Sequence, residues 1–368
     1  MNATHAVDLE DTEGLLGADR DGLLRAAASA GAQVRAVLAA VDEGALDPVR
    51  ADDRPRSVIW LANRGTAETA GAILAATLGG SASQPFVLTG ATPPWLGPLD
   101  LLIVAGDDPG DPALVAAATA GVRRGARVVV VAPYEGPLRD STAGRAAVLA
   151  PRLWLPDEFG LCRYLAAGLA VVRAVDPRPS IGLDGLADEL DAEALRNSAG
   201  RELFTNPAKT LAARMVDRRV VLSGDDAATV ALARHASSVL LRIAQQVSAA
   251  TPVADAVSAL RGAFADASAS VDALFHDDEI DGPLPPRLRV LALTLAAERT
   301  VAAAQYAGFD EIYLITAEDV PEAPGGVGGS DGLVGAVAPG RATPPEQQLA
   351  ILAVRLEMAA VYLRLARG

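Results

Sequence analysis

Apolar positions along the chain change their period near residue 57. Before it, residues 22–38 place Leu23, Leu24, Ala27, Val34, Val37 and Leu38 at helical spacing, which predicts an acidic, helix-rich lead-in over residues 1–54. From it, Ser57-Val58-Ile59-Trp60-Leu61-Ala62 is a short continuous apolar run, the pattern of a strand buried on both faces. A polar turn, Asn63-Arg64-Gly65-Thr66-Ala67-Glu68-Thr69, leads into a helix reaching about Leu78. The unit then repeats. Residues 99–105 read as a strand, Gly106-Asp107-Asp108-Pro109-Gly110-Asp111 as a loop, residues 112–123 as a helix with proline at its start, and residues 127–132 as the next strand. Such alternation with short connections predicts right-handed βαβ units and a parallel sheet covered on both faces. Ligands of such sheets bind at the carboxyl ends of strands, so the loops after Ala62 and Ala105 are the first places to look for a site.

An apolar helix over residues 161–175 closes the first half, and Pro177-Arg178-Pro179-Ser180 with the acidic stretch 184–193 reads as a crossover linker. The second half begins again. Its pattern predicts a strand at 218–223, a turn at Gly224-Asp225-Asp226, a long helix at 227–246 and another at 253–265. A strand at 287–295, a helix at 298–308 and a strand at 311–315 follow. The glycine-rich segment 325–332 lacks the lysine of a phosphate-binding P-loop and does not lead from a strand into a helix, so it reads as a surface loop. A last helix over 345–367 carries Leu349, Ile351, Leu352, Leu356, Val361, Leu363 and Leu365, suited to docking on a core. The predicted organisation is a lead-in at 1–54, an α/β domain at 55–176, a linker at 177–210 and a second α/β domain at 211–368 that includes the C-terminal helix.

Composition narrows the class. A length of 368 residues accommodates two domains with their own cores. Hydrophobic residues make up 51%, yet the excess is alanine, valine and leucine spread among charges, with no apolar run of the ~18 residues a membrane span requires, so a soluble protein is expected. Residues 1–13 show no leader pattern, so a cytoplasmic protein is expected. A formal net charge of −14 argues against nucleic acid and anionic membranes as partners. Lys209 is the only lysine and arginine supplies the other basic residues, so an arginine is by itself weak evidence for an anion site. The single cysteine, Cys162, excludes an internal disulfide and a zinc site of the usual spacing, and reads as a small buried apolar residue.

The densest titratable cluster is Phe275-His276-Asp277-Asp278-Glu279-Ile280-Asp281-Gly282. The other two histidines, His5 and His235, have no comparable company in sequence. Three readings compete: a solvated acidic turn closed by Pro283, an altered ligand site, and a metal site built from His276 with Asp277, Asp278 or Glu279. Consecutive carboxylates point in different directions and rarely complete a coordination shell, which counts against the metal. Asp107, Asp108 and Asp111 are likewise accounted for by a solvated turn and a helix N-terminus, where negative charge is favourable.

Asn206-Pro207-Ala208-Lys209, Glu279-Ile280-Asp281-Gly282, Pro286-Arg287-Leu288-Arg289-Val290-Leu291, Glu298-Arg299-Thr300 and Gly308-Phe309-Asp310 together resemble the bifunctional phosphoglucose/phosphomannose isomerases. More narrowly, they resemble the actinobacterial TobH-like proteins grouped with them. The resemblance implies two flavodoxin-like SIS (sugar isomerase) domains, parallel sheets flanked by helices, and a homodimer. It also implies a sugar phosphate bound between domains and aldose/ketose interconversion by proton transfer; no cofactor and no metal are expected. That chemistry needs a phosphate cradle, a glutamate base, a ring-opening histidine and an arginine for the enediolate.

Carried onto this chain, the resemblance implies a ligand-binding set of Asn63, Arg64, Gly65 and Thr66 in the first loop, Gly106 and Asp107 in the main phosphate loop, and Ser223 and Gly224 in the second domain. The chain departs from the family at each catalytic part. Three carboxylates stand in the phosphate loop, where each pairing with a phosphate charge at 4 Å costs about 4 kcal/mol at an effective dielectric of 20. Pro156-Asp157-Glu158 stands where the arginine is expected, with Arg152 or Arg163 displaced from it. No acid occurs in 227–246, and the family's histidine aligns with Asp277, leaving His276 one residue early. The expected function is therefore a carbohydrate-derivative-binding relative of the isomerases, non-catalytic or weakly active. The alternatives are an active isomerase with His276 and Glu279 or Asp278 as the proton-transfer pair, and an interaction subunit of a sugar-metabolism assembly.

Overall fold

The computed structural model describes residues 6–50, 53–80, 82–176, 183–267, 288–318 and 343–368. The lead-in forms α1 (Thr12–Ala18), α2 (Leu23–Ala27) and α3 (Ala30–Asp42). The single helix expected over 22–38 is interrupted between α2 and α3. There the Ser29 hydroxyl donates to the Ala26 carbonyl at 2.6 Å, a local bond that competes with helix continuation.

The first sheet contains β1 (Ser57–Leu61), β2 (Phe86–Thr89), β3 (Asp100–Ala105), β4 (Arg127–Val131) and β5 (Ala147–Val148), all parallel in the order β2-β1-β3-β4-β5. Between them run α4 (Gly65–Leu78), α5 (Pro112–Arg123) and α6 (Gly136–Thr142). β1 and β3 are buried along their whole length, as their unbroken apolar runs require. Trp60 on β1 is fully buried, and its indole N–H donates to the Ala67 carbonyl at 2.9 Å. α7 (Leu161–Val175) covers this sheet.

Most of the described part of the segment read as a linker, from residue 183 on, is helical instead. α8 (Leu183–Arg196) buries Leu183, Leu186, Ala187 and Leu190, a stripe at 3.6-residue spacing masked in the sequence by the acids on its outer face. Two of those acids, Asp188 and Asp191, pair with Arg35 on α3. α9 (Pro207–Met215) follows, capped by the Asn206 side chain.

The second sheet contains β6 (Arg219–Gly224), β7 (Ser248–Pro252), β8 (Leu288–Leu293) and β9 (Ile312–Ile315), all parallel in the order β7-β6-β8-β9, with α10 (Ala227–Ala244), α11 (Val253–Ala267) and α12 (Arg299–Tyr306) as its helices. Both sheets share one winding. The first strand of each half is central and the chain reverses direction across it, between β1 and β3 and again between β6 and β8.

α13 (Pro345–Arg367) does more than dock one apolar face. It packs against α1, α2, α4, α7, α8, α9 and α10, and is buried almost all the way round, Glu346, Arg355 and Glu357 included. Arg355 reaches Glu193 at 2.7 Å and donates to the Thr316 and Ala317 carbonyls at 2.7 and 3.0 Å, so the buried charge is paired and hydrogen-bonded. One hydrophobic core runs from the lead-in through both sheets. Among the described residues no helix is long and apolar enough to cross a membrane.

Candidate functional site

In a doubly wound sheet the loops leaving the carboxyl ends of two strands diverge where the strand order reverses, which opens a crevice. In the first sheet that crevice lies between the loop after β1, residues 63–66, and the loop after β3, residues 106–111. It is spanned by the protein's own side chains. Asn63 Nδ2 donates to Asp111 Oδ2 at 3.2 Å, and the Arg64 guanidinium lies 3.2 Å from Asp108 and 3.6 Å from Asp111. Asp111 also caps α5 through the Ala113 amide at 2.8 Å. Burial opposes its ionisation, yet that amide, Asn63 and Arg64 together hold its carboxyl below the ordinary value. Gly65 takes a left-handed conformation (φ +66°) and starts α4 with no side-chain cap.

Asp107 behaves differently. It accepts a hydrogen bond from the Tyr164 hydroxyl, and Arg163 stands 3.4 Å away with its guanidinium 4.0 Å above the Tyr164 ring. Burial raises the Asp107 carboxyl above its ordinary value and the nearby Asp157 adds to this, while Tyr164, Arg163 and Arg64 act against it. The sequence put Arg163 out of register with the family's arginine. The first turn of α7 nonetheless brings it to the loop after β3.

The crevice of the second sheet is filled in the same manner. Asp225, following β6, accepts from the Thr294 hydroxyl after β8 and from Thr229 at 3.1 Å. Asp226 closes a capping box with Thr229 at the start of α10. Gly224 is explained by packing, since a Cβ there would stand 2.4 Å from the backbone of Thr229 and Val230. Ser223 is fully buried, and its hydroxyl has no hydrogen-bond partner among the described residues. Ser223 and Gly224 thus belong to a second cluster around Asp225, whereas Asn63, Arg64, Gly65, Gly106 and Asp107 gather at the first.

Thr66 faces a third space. A cleft of about 200 Å³ opens between Gly65, Thr66, Glu68 and Thr69 on α4 and Arg234, His235 and Arg242 on α10, and is bounded by the 2.7 Å ion pair of Glu158 with Arg242. His235, without company in sequence, has a partner in space: its Nε2 lies 2.8 Å from Glu357 Oε1 on α13. Burial pushes the Glu357 carboxyl up, with His235 opposing. Cys162 is buried nearby, and burial with the Glu357 charge pushes its thiol up, away from reactivity. A further cleft, of about 80 Å³, lies between Asp107, Arg163 and the segment carrying Trp154. Neither the His235–Glu357 pair nor the Arg163–Asp107 contact has a signal in local spacing. Trp154 between Pro151 and Pro156 had one, a rigid aromatic in a proline-framed loop. His276, Asp278 and Glu279, the catalytic candidates, and the glycine-rich segment 325–332 lie outside the described residues.

No protein-family model matches the sequence, and no curated protein matches it. Solved structures do match. Tagatose-6-phosphate ketose/aldose isomerase from Escherichia coli superposes with a TM-score of 0.59 at 15% identity, covering 100% of this chain and 95% of its own. A glucose-6-phosphate isomerase-like protein from Thermus thermophilus gives 0.52 at 18% identity, over 98% and 96% of the two chains. The C-terminal domain of glucosamine-fructose-6-phosphate aminotransferase from Francisella tularensis gives 0.56 at 9% identity, over 95% and 98%. The fold is accordingly the expected α/β one, with two parallel sheets flanked by helices and a C-terminal helix docked on the core, and these structures share it.

Proposed function

We propose that this chain is a phosphosugar-isomerase-like protein that binds a carbohydrate derivative and converts it slowly or not at all. One observation carries the reading. Arg64 and Arg163, the cations at the first crevice, are both engaged by the protein's own carboxylates, Arg64 by Asp108 and Asp111 and Arg163 by Asp107. Among the described residues, a phosphate dianion entering there meets three carboxylates and no unengaged cation between the two loops, at a cost of about 4 kcal/mol for each charge pair at 4 Å and an effective dielectric of 20. The second crevice repeats the substitution with Asp225 on Thr294. The narrower kinship with actinobacterial TobH-like proteins rests on the short motifs from Asn206 onward. A homodimer belongs to the same reading, and light scattering on the purified protein tests it.

The deciding experiment is a coupled assay on fructose 6-phosphate and mannose 6-phosphate with the full chain. The expected result is no turnover above the enzyme-free rate. Turnover in the ordinary enzymatic range of about 1–1,000 s⁻¹, abolished by His276→Ala, overturns the reading and establishes the active isomerase.

A further inference from the structure

The cleft between α4 and α10 keeps three polar groups that the protein itself leaves unengaged. One belongs to His235, a side chain that is almost wholly buried, with the residue 3% exposed. Its Nε2 is taken by Glu357 at 2.8 Å. Nδ1 has no hydrogen-bond partner among the described residues, and unlike the Ser223 hydroxyl it is not closed off from solvent. His235 lines the cleft, so Nδ1 opens there. The other two groups are opposite charges on the two facing helices. Arg234 on α10 and Glu68 on α4 are both exposed and line the same cleft, and their side chains engage neither each other nor any other group among the described residues. Neighbouring charges are spent differently: Arg242 is held by Glu158, and the arginines of the first crevice by Asp107, Asp108 and Asp111.

Each unengaged group suits a different partner. The planar fork of Arg234 matches a carboxylate, which accepts two parallel hydrogen bonds. Glu68 accepts from an ammonium. Nδ1 donates or accepts according to the protonation of the ring, so a hydroxyl or amide, which can do both, pairs with it in either state. A simple anion would be opposed by Glu68, a simple cation by Arg234, and an uncharged molecule would compensate neither. A zwitterion compensates both. The free volume of about 200 Å³ is below the ~300–1,000 Å³ of drug-sized sites, which restricts the ligand to a small molecule.

We propose that this cleft binds a small free α-amino acid with a hydroxyl or amide side chain, its carboxylate on Arg234, its ammonium on Glu68 and its side chain on His235 Nδ1. The site is additional to the two crevices, and it does not depend on the reading of the chain as a carbohydrate-binding protein.

The test is calorimetry on the full chain with serine, threonine, asparagine and glutamine, each beside its N-acetyl and its C-amide derivative. At least one free amino acid is expected to bind saturably, and blocking either end is expected to weaken that binding about tenfold or more. Alanine keeps both charges but offers nothing to Nδ1, and is expected to bind more weakly than the best of the four. Arg234→Gln and Glu68→Gln sit at exposed positions, so both variants are expected to melt as the wild type does without ligand and to lose about tenfold or more in affinity. His235 is left in place because it also ties α10 to α13. No saturable binding of any of the four, equal affinity for a blocked derivative or for alanine, or unchanged affinity in either variant overturns the proposal. The coupled assay on sugar phosphates bears on the carbohydrate reading alone, so the two fail separately.

Discussion

Nε2 of His235 stands 2.8 Å from Oε1 of Glu357, and the two side chains are 2% and 1% exposed. The contact joins α10 to α13 across 122 residues of sequence. Removing either partner leaves the other buried without its hydrogen bond, which is costly. His235→Ala and Glu357→Ala are each expected to lower the unfolding free energy by about 1–3 kcal/mol. The double variant His235→Leu/Glu357→Leu is expected to lose less than the sum of the singles, because no orphan remains. Urea unfolding of the three variants checks both statements.

Arg355 holds Glu193 and two backbone carbonyls with one planar fork. Burial pushes the Glu193 carboxyl up, but Arg355, Arg196 and Asn197 outweigh it, and the net effect is to lower it. A lowered carboxyl stabilises the fold above its unfolded value and loses that contribution as pH falls through the folded one. The stability gap between wild type and Arg355→Met is therefore expected to be constant near neutral pH and to shrink below about pH 4. Arg355→Lys is expected to lose about 2 kcal/mol or more at neutral pH, since a single ammonium cannot reproduce the fork. Denaturant titrations over a pH series measure both.

Gly224 was a ligand candidate by position, and the structure gives its lack of a side chain a packing cause. Gly224→Ala drives a methyl group against the first turn of α10, 2.4 Å from backbone atoms that the Asp226–Thr229 capping box holds in place. The expected cost is about 1–3 kcal/mol of stability. Thermal unfolding reads it out, and an unchanged melting temperature would show that the strand end yields freely.

The carboxylates at the first crevice are predicted to be what excludes phosphate. Asp107→Ser/Asp108→Ser releases Arg163 and loosens Arg64, and removes up to about 4 kcal/mol of repulsion per carboxylate. Inorganic phosphate is expected to raise the melting temperature of this variant and not that of the wild type. A wild-type shift of equal size would mean that the crevice already accepts the anion.

Legibility in the sequence follows the range of the interactions. β1, β3 and α5 could be read nearly to the residue because their burial on both faces, or their proline start, is written in consecutive positions. α8 was hidden because its acidic outer face dominates the composition while its five buried apolar residues keep helical spacing. β7 escaped because Ser-Ala-Ala-Thr-Pro at a sheet edge has neither alternation nor an apolar run. For α13 the span was legible but the burial of its polar residues was not. Their partners lie on other helices, as Glu193 does for Arg355 and His235 for Glu357. The crevice loops were found from topology, but that Asp107, Asp108 and Asp111 lock the neighbouring arginines is a fact of three dimensions.

α13 has a mechanical consequence. A helix wrapped by seven others, drawn from the lead-in and from both halves, acts as a shared axle that neither sheet can release alone. Hinged opening of one half against the other would strip α13 of partners on one side and expose charges such as Arg355 and Glu357. The energetic penalty forbids the wide domain swing by which many two-lobed proteins admit a ligand. Entry to either cleft then falls to surface loops, and the two halves are coupled into one cooperative unit that melts in a single transition.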